Sequence, residues 1–128
     1  MQLNQISMDP FKRALQSLSQ VLAETKTDYI RDASIQRFEY TFELAWKLLK
    51  RYIEANNGIL ESNVKNIFRE AAKQGLIESF EAWEGYLKAR NLTSHTYEMA
   101  TAELVYQQAR QFEKSAIFLA GRLEKLLA

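Results

Sequence analysis

Apolar residues recur along nearly the whole chain three or four positions apart, with polar residues between them. This spacing is typical of amphipathic helices, and no segment shows the strict alternation of a half-buried strand. The first helix is predicted to start at Asp9-Pro10, with the acid as N-cap, and to end between Thr25 and Asp28. Its apolar stripe is Phe11, Leu15, Leu18 and Leu22.

A longer second helix is predicted from about Asp32 to Ala55, and Asn56-Asn57-Gly58 should end it with a left-handed cap. Its apolar stripe is Ile35, Phe38, Phe42, Ala45, Trp46, Leu49 and Ile53. We interpret the aromatic members as core rather than as a platform for stacking bases. Two pairs of opposite charge stand four residues apart on the outer face, Glu43 with Lys47 and Lys50 with Glu54.

A short third helix should run from Val64 to Gln74, capped by Ser62 or Asn63 and stopped at Gly75. Its buried side is Val64, Ile67, Phe68 and Ala71. The fourth helix should begin near Ser79. It carries Phe80, Trp83 and Leu87.

The last helix is predicted from about Ala100 to Leu127. Its stripe is Leu104, Val105, Phe112, Ala116, Leu119, Leu123 and Leu126. Long helices joined by short connections favour an all-α fold, an antiparallel up-and-down bundle of four to five helices. A chain of 128 residues fits one domain, 1–128.

Composition excludes several classes of function. The chain has no cysteine, which excludes disulfides and thiolate metal sites. It has 17 basic and 16 acidic residues. Proteins that coat nucleic acid nonspecifically show a broad basic excess, so this balance argues against that class of function. No run approaches the roughly 20 apolar residues of a membrane span, and the N-terminus lacks the apolar core of a signal peptide. We therefore expect a soluble, cytoplasmic protein without membrane contact.

The stretch from Arg90 to Tyr97 departs from the apolar pattern, because Leu92 is its only aliphatic residue. It contains the only histidine of the chain, His95. Imidazole changes protonation state near neutral pH, guanidinium binds phosphate through paired donors, and a tyrosine hydroxyl can be modified. A local departure from the bundle pattern without an evident structural role points to function.

On one unbroken helix, the side chains of Arg90 and His95 would point about 140° apart, since five residues advance roughly 500°. They would meet at one ligand only if the helix breaks between them or if a second copy of the chain supplies a second motif. Leu92-Thr93-Ser94 could accommodate a break, because Thr and Ser hydroxyls compete for backbone partners. The alternative is purely structural, with Arg90 paired to a nearby acid and His95 capping a helix end.

Other kinds of site find little support in the sequence. Glu39 and Glu43 stand four apart and could in principle share a metal, but di-iron bundles pair such acids with Glu-x-x-His motifs. The residue three before His95 is Leu92, so we exclude a di-iron site. The chain also lacks a glycine-rich phosphate loop, zinc-ligand spacing and a nucleophile beside a second histidine.

Two separated segments resemble the HEPN superfamily, and more narrowly the nucleotidyltransferase substrate-binding proteins related to the HepT toxins. They are Arg37-Phe38-Glu39-Tyr40-Thr41-Phe42-Glu43-Leu44-Ala45-Trp46-Lys47 and, after Trp83, Arg90-Asn91-Leu92-Thr93-Ser94-His95-Thr96-Tyr97. The similarity extends from about Leu3 to Leu127. It implies a bundle like the C-terminal substrate domain of kanamycin nucleotidyltransferase, a homodimer, and a separate minimal nucleotidyltransferase as partner.

In the toxin members of this superfamily, an Arg-x4-6-His motif belongs to a metal-independent endoribonuclease, and two subunits bring their motifs together at the dimer interface. The resemblance therefore implies Arg90 and His95 as catalytic residues acting on RNA, with no cofactor. Asn91 and Ser94 are predicted to support them. HepT-like members have the form Arg-x4-His-x-Tyr, which this chain matches at Arg90, His95 and Tyr97. The resemblance implies that the partner nucleotidylates Tyr97 and that this modification acts as the antidote. The alternative is a noncatalytic subunit that presents a nucleotide or another substrate to the transferase.

Overall fold

A computed structural model describes residues 3–58 and 61–128. Within these ranges the secondary structure is entirely helical, without strands. The described helices are α1 (Asp9–Leu22), α2 (Asp28–Asn57), α3 (Val64–Lys73), α4 (Phe80–Asn91) and α5 (Met99–Leu127). Two short 3₁₀ turns cover Leu3–Gln5 and Thr93–His95. The predicted helical bundle is confirmed. The predicted single domain, 1–128, also includes residues 1–2 and 59–60, which lie outside the described ranges.

The four long helices alternate in direction, and the short α3 lies in the connection between α2 and α4. Lys12 in α1 pairs with Glu124, whereas Lys26, just after α1, pairs with Glu103, so α1 runs opposite to α5. Glu43 and Glu39 of α2 contact Arg90 of α4 and Thr93 just beyond it, so these contacts also run in opposite order along the chain. This is the antiparallel arrangement of a helical bundle. Among the residues described, no helix is both long and apolar enough to cross a membrane.

The ends of α2 depend on local capping. Thr27 accepts a hydrogen bond from the backbone N–H of Ile30 at 3.1 Å, and this N-cap places the start of the helix at Asp28. The predicted start at Asp32 is therefore four residues too late. Gly58 ends α2 in the left-handed region, with φ of 71°, as predicted for a C-terminal cap.

The other helix starts follow their local signals with one exception. The prediction of Asp9 as an N-cap is wrong by one residue, because Met8 occupies the cap position and Asp9 is the first helical residue. The same helix ends at Leu22, three positions before the predicted limit. Asn63 caps α3 and Ser79 caps α4, each accepting a hydrogen bond from the backbone three residues on.

Six aromatic side chains form the centre of the core, with centroid separations of 5.4 to 6.1 Å between neighbouring rings. They are Phe38, Phe42, Phe68, Trp83, Tyr86 and Phe112. All of these ring pairs are tilted or edge-to-face, and ring quadrupoles favour edge-to-face contacts over flat stacking. The interpretation of Phe38 and Phe42 as core is confirmed.

Four predicted core residues lie nearer the surface than expected, and one of them, Val64 of α3, is partly buried. Trp46 is only partly buried, at the edge of the core, and its indole N–H donates to Glu43 at 3.2 Å. Leu104 and Leu126 are 51% and 46% exposed, and both lie off the buried side of α5. That buried side instead passes through Ala102, Val105, Tyr106, Ala109, Phe112, Ser115, Ala116, Leu119 and Leu123.

Candidate functional site

The helix breaks between Arg90 and His95, at the residues that the sequence indicated could accommodate a break. Helix α4 ends at Asn91, and a 3₁₀ turn follows from Thr93 to His95. The backbone N–H of His95 donates to the carbonyl of Leu92 at 2.9 Å, which closes this turn. Arg90 thus lies in the last turn of one helix and His95 at the end of a separate turn, so the 140° separation of a continuous helix does not apply.

Arg90 forms an ion pair with Glu43 of α2. Its Nε lies 2.7 Å from Oε1 of Glu43, and both side chains are about one-third exposed. Arg90 therefore has the nearby acidic partner that the structural alternative expects. The described residues show no ion pair between Glu43 and Lys47, because the carboxylate turns towards Arg90 and Trp46 instead. The other predicted pair, Lys50 with Glu54, is present at 2.6 Å.

A second carboxylate of α2 contacts the 3₁₀ turn. The hydroxyl of Thr93 lies 2.6 Å from Oε2 of Glu39 and 2.8 Å from the backbone carbonyl of Arg90. Both oxygens are acceptors and the hydroxyl has one proton to donate, so the shorter contact, with Glu39, is the main hydrogen bond. The break thus results from side-chain contacts as well as from the backbone turn.

Sequence reasoning missed the part that Glu39 and Glu43 play here. It places Glu43 in a solvent-exposed charge pair and considers the two acids together only as metal ligands. The available signal was their spacing, since residues four apart project from one side of a helix and can meet a shared neighbour. Among residues 3–58 and 61–128, no group of three or more His, Cys, Asp or Glu side chains could hold a metal ion.

The remaining predicted site residues are on the surface. Asn91, Ser94, His95 and Tyr97 are all exposed, and 79% of Tyr97 is accessible. The rings of His95 and Tyr97 face each other edge-on, with centroids 6.1 Å apart. Within the described part of the chain, no hydrogen bond joins Arg90 to His95. The structure therefore brings imidazole and phenol together directly, whereas the guanidinium is held against α2.

A guanidinium, an imidazole and a phenol at one exposed break can bind phosphate and move protons. The fold and this site together define a class of helical-bundle proteins that present polar side chains between their last two helices. Residues 6–125 match the family described as "Nucleotidyltransferase substrate binding protein like", and the chain belongs to this family. The resemblance to the HEPN and HepT-like proteins is thereby confirmed.

Known proteins of similar sequence and structure agree with this family. The chain is 35% identical over 102 residues to "Probable ribonuclease HepT" of Haemophilus influenzae, covering 77% of this chain and 70% of that protein. A crystal structure of a Thermus thermophilus protein is 33% identical with a TM-score of 0.82, covering 88% of this chain and 98% of the other. Another solved structure, from Haemophilus influenzae, is described as revealing the fold of a substrate binding domain of a nucleotidyltransferase. It is 30% identical with a TM-score of 0.84, covering 92% of this chain and 99% of the other.

Proposed function

We propose that this chain is a HEPN-type subunit that works with a separate minimal nucleotidyltransferase, as the toxin-like half of a two-component toxin–antitoxin pair. Its ribonuclease site comprises Arg90 and His95, supported by Asn91 and Ser94, and Tyr97 is the nucleotidylation acceptor. The observation that carries this proposal is the helix break, which exposes His95 and Tyr97 side by side a few residues after Arg90 in the chain. The similarity to a probable ribonuclease supports it.

Metal-independent RNA cleavage fits the chemistry of these side chains. The 2′-hydroxyl loses a proton and attacks the phosphorus, and the 5′-oxygen leaves with a proton. His95 supplies an imidazole, a group that can accept a proton at one step and donate one at another. Arg90 donates to the phosphorane oxygens, and one such donor typically lowers the barrier by about 3 kcal/mol.

One imidazole cannot act as base and acid in the same step, so the proposed enzyme is a homodimer that joins two motifs. In a symmetric dimer, the two His95 side chains meet only if the two-fold axis passes close to them. The exposed large apolar residues nearest to His95 along the chain are Tyr97, Met99 and Leu104, with 79%, 68% and 51% of their surfaces accessible. These residues support a contact with a second copy at this end of α5.

Nucleotidylation of Tyr97 would inactivate such a site. The phenolic oxygen attacks the α-phosphate of a nucleoside triphosphate bound to the partner, pyrophosphate leaves, and the phenol proton passes to solvent. The product carries a phosphodiester charge and a bulky base beside His95, and both oppose entry of RNA. The accessibility of Tyr97 supports this role.

The nuclease is tested by expressing the wild type and His95→Ala in cells that lack the partner. Degraded RNA and arrested growth with the wild type, but not with the variant, are the expected results. Equal growth and equal RNA integrity would contradict the nuclease. Mass spectrometry after co-expression with the partner then tests for a nucleotide adduct on Tyr97.

The alternative is a noncatalytic subunit that binds a nucleotide or another substrate for the transferase. It is favoured by the family description and by the solved relative described as having a substrate-binding-domain fold. In this case Arg90 and His95 bind phosphate, and Tyr97 stacks on a base or donates a hydrogen bond. Purified protein that binds a nucleotide through Arg90 and His95, but never cleaves RNA, would support this alternative.

A further inference from the structure

Two carboxylates of α2 contact the chain on either side of the point where α4 ends. Glu43 accepts a hydrogen bond from Arg90, and Glu39 lies against the hydroxyl of Thr93. Because the acids stand four residues apart on one helix, they face the break together. We propose that Glu43 and Glu39 are positioning residues for the site formed by Arg90 and His95, an inference that rests on the function proposed above.

The contact of Glu43 selects one edge of the guanidinium. A guanidinium has five N–H donors in a planar fork, and Glu43 engages the Nε donor. Among the described residues, no other side chain or carbonyl accepts a hydrogen bond from the guanidinium of Arg90. The Nη donors are therefore left for a phosphate, while the ion pair restricts the rotation of a long side chain.

The negative charge of Glu43 weakens the attraction of Arg90 for an anionic ligand such as a phosphate. A carboxylate 2.7 Å from the guanidinium offsets part of the positive potential that would attract a phosphate. If Arg90 acted only by attracting its ligand, an uncharged neighbour would serve better. The acid is useful if orientation limits the reaction, because a donor must be aimed at the charge that develops in the transition state.

Glu39 acts one step further from the chemistry. It lies 2.6 Å from the hydroxyl of Thr93, which also contacts the last-turn carbonyl of Arg90. Thr93 begins the 3₁₀ turn that ends at His95. A hydroxyl held by a carboxylate of α2 thus ties the start of this turn to the bundle, and the position of His95 depends on it.

Glu43 is tested by RNA cleavage with Glu43→Ala, Glu43→Gln and a matched control, Glu54→Gln. The control removes an ion pair of similar length on the same helix, Lys50 with Glu54 at 2.6 Å. We expect Glu43→Ala to lower kcat roughly 10- to 100-fold without raising KM, since orientation is lost while repulsion of the phosphate is relieved. Glu43→Gln should recover most of kcat, because an amide oxygen still accepts from Nε. Wild-type kcat in Glu43→Ala, or an equal loss in the control, would overturn the proposal.

A spectroscopic measurement separates this inference from the nuclease itself. The Nε–H signal of Arg90, identified by its absence in Arg90→Lys, should be resolved and protected from exchange in the wild type and in Glu43→Gln. It should merge with the signals of solvent-exposed arginines in Glu43→Ala. An unchanged signal in Glu43→Ala refutes the positioning role even if RNA is cleaved. In another outcome, the wild type leaves RNA intact, while Glu43→Ala changes both the Nε–H signal of Arg90 and the affinity for AMP. That result refutes only the nuclease and keeps the positioning role of Glu43.

The contribution of Glu39 is tested through its hydroxyl partner. Thr93→Ser keeps the hydroxyl and Thr93→Val keeps the shape of the side chain without it. We expect kcat to fall by the same factor in Glu39→Ala, in Thr93→Val and in the double variant, since each of them loses the one shared contact. Thr93→Ser should retain activity. Full activity in Thr93→Val would overturn this half of the proposal.

Discussion

The phenol ring of Tyr97 lies edge-on to the imidazole of His95, with the ring centroids 6.1 Å apart. Any group attached to the Tyr97 hydroxyl would therefore sit within reach of that imidazole. The proximity links the two proposed roles of this turn, because in the proposed function a group added to Tyr97 blocks the access of RNA to His95.

This relationship predicts that Tyr97→Phe separates activity from its control. The variant should cleave RNA as the wild type does but should no longer be inactivated by the nucleotidyltransferase, because phenylalanine offers no acceptor oxygen. Tyr29→Phe is the matched control, since Tyr29 is similarly accessible, with 87% of its surface exposed. RNA cleavage before and after incubation with the partner and a nucleoside triphosphate measures the effect. Inactivation of Tyr97→Phe to the wild-type extent would rule out Tyr97 as the acceptor.

The proposed dimer predicts that a charge at Leu104 disrupts assembly whereas the same charge at Ile117 does not. The two residues are similarly exposed, at 51% and 55%. Ile117 lies about 20 Å further along α5, at 1.5 Å per residue, and so is far from a two-fold axis near His95. Light scattering should show a dimer for the wild type and Ile117→Arg, and a monomer for Leu104→Arg. RNA cleavage should follow the dimer. A dimeric Leu104→Arg would place the interface elsewhere.

The hydroxyls of Tyr86 and Ser115 form a buried hydrogen bond of 2.7 Å between α4 and α5. Tyr86→Phe should lower the free energy of unfolding by about 1 kcal/mol, because Ser115 loses its partner in the core. The double variant with Ser115→Ala should be less destabilised than the sum of the single variants, since neither hydroxyl is then left unpaired. Denaturant titration of the four proteins measures this coupling. Additive losses would show that the two hydroxyls do not interact.

The same tyrosine predicts a loss of stability in alkali. Burial raises the pKa of Tyr86 above its ordinary value of 10.0, because the phenolate is poorly solvated in the core. The raised pKa in the folded state contributes stability that is fully present below about pH 10 and is lost as the pH rises through the folded pKa. The free energy of unfolding should therefore fall more steeply above about pH 10 in the wild type than in Tyr86→Phe. Identical alkaline slopes would contradict the assignment.

Trp83 occupies the centre of the aromatic core and, among the described residues, has the one buried side-chain nitrogen without a hydrogen-bond partner. Trp83→Phe should consequently lose packing volume but no hydrogen bond. We expect Trp83→Ala to lower the free energy of unfolding by about 3 to 5 kcal/mol and Trp83→Phe by clearly less. Thermal and denaturant unfolding of both variants test this. Equal losses would indicate that the indole N–H makes a stabilising contact after all.

Much of the fold was predictable because its signals are local. Apolar spacing located all five helices, and the caps at Asn63, Ser79 and Gly58 are residues whose side chain or backbone suits a helix end without help from the rest of the chain. The early start of α2 was missed because its N-cap, Thr27, lies in a polar segment whose residues are equally typical of a loop. The exposure of Leu104 on α5 was missed for a different reason. The spacing of apolar residues along a helix does not show which of them face a neighbouring helix and which face solvent.

By itself, the sequence determined that the chain is a helical bundle and that Arg90, His95 and Tyr97 form its chemically unusual stretch, because periodicity and residue type are properties of neighbouring positions. Only the tertiary structure decided that α2 supplies the carboxylates at that stretch. Glu43 and Arg90 are separated by 47 positions, and Glu39 and Thr93 by 54. Which acid meets which donor depends on the packing of α2 against α4, so no local pattern could identify these pairs.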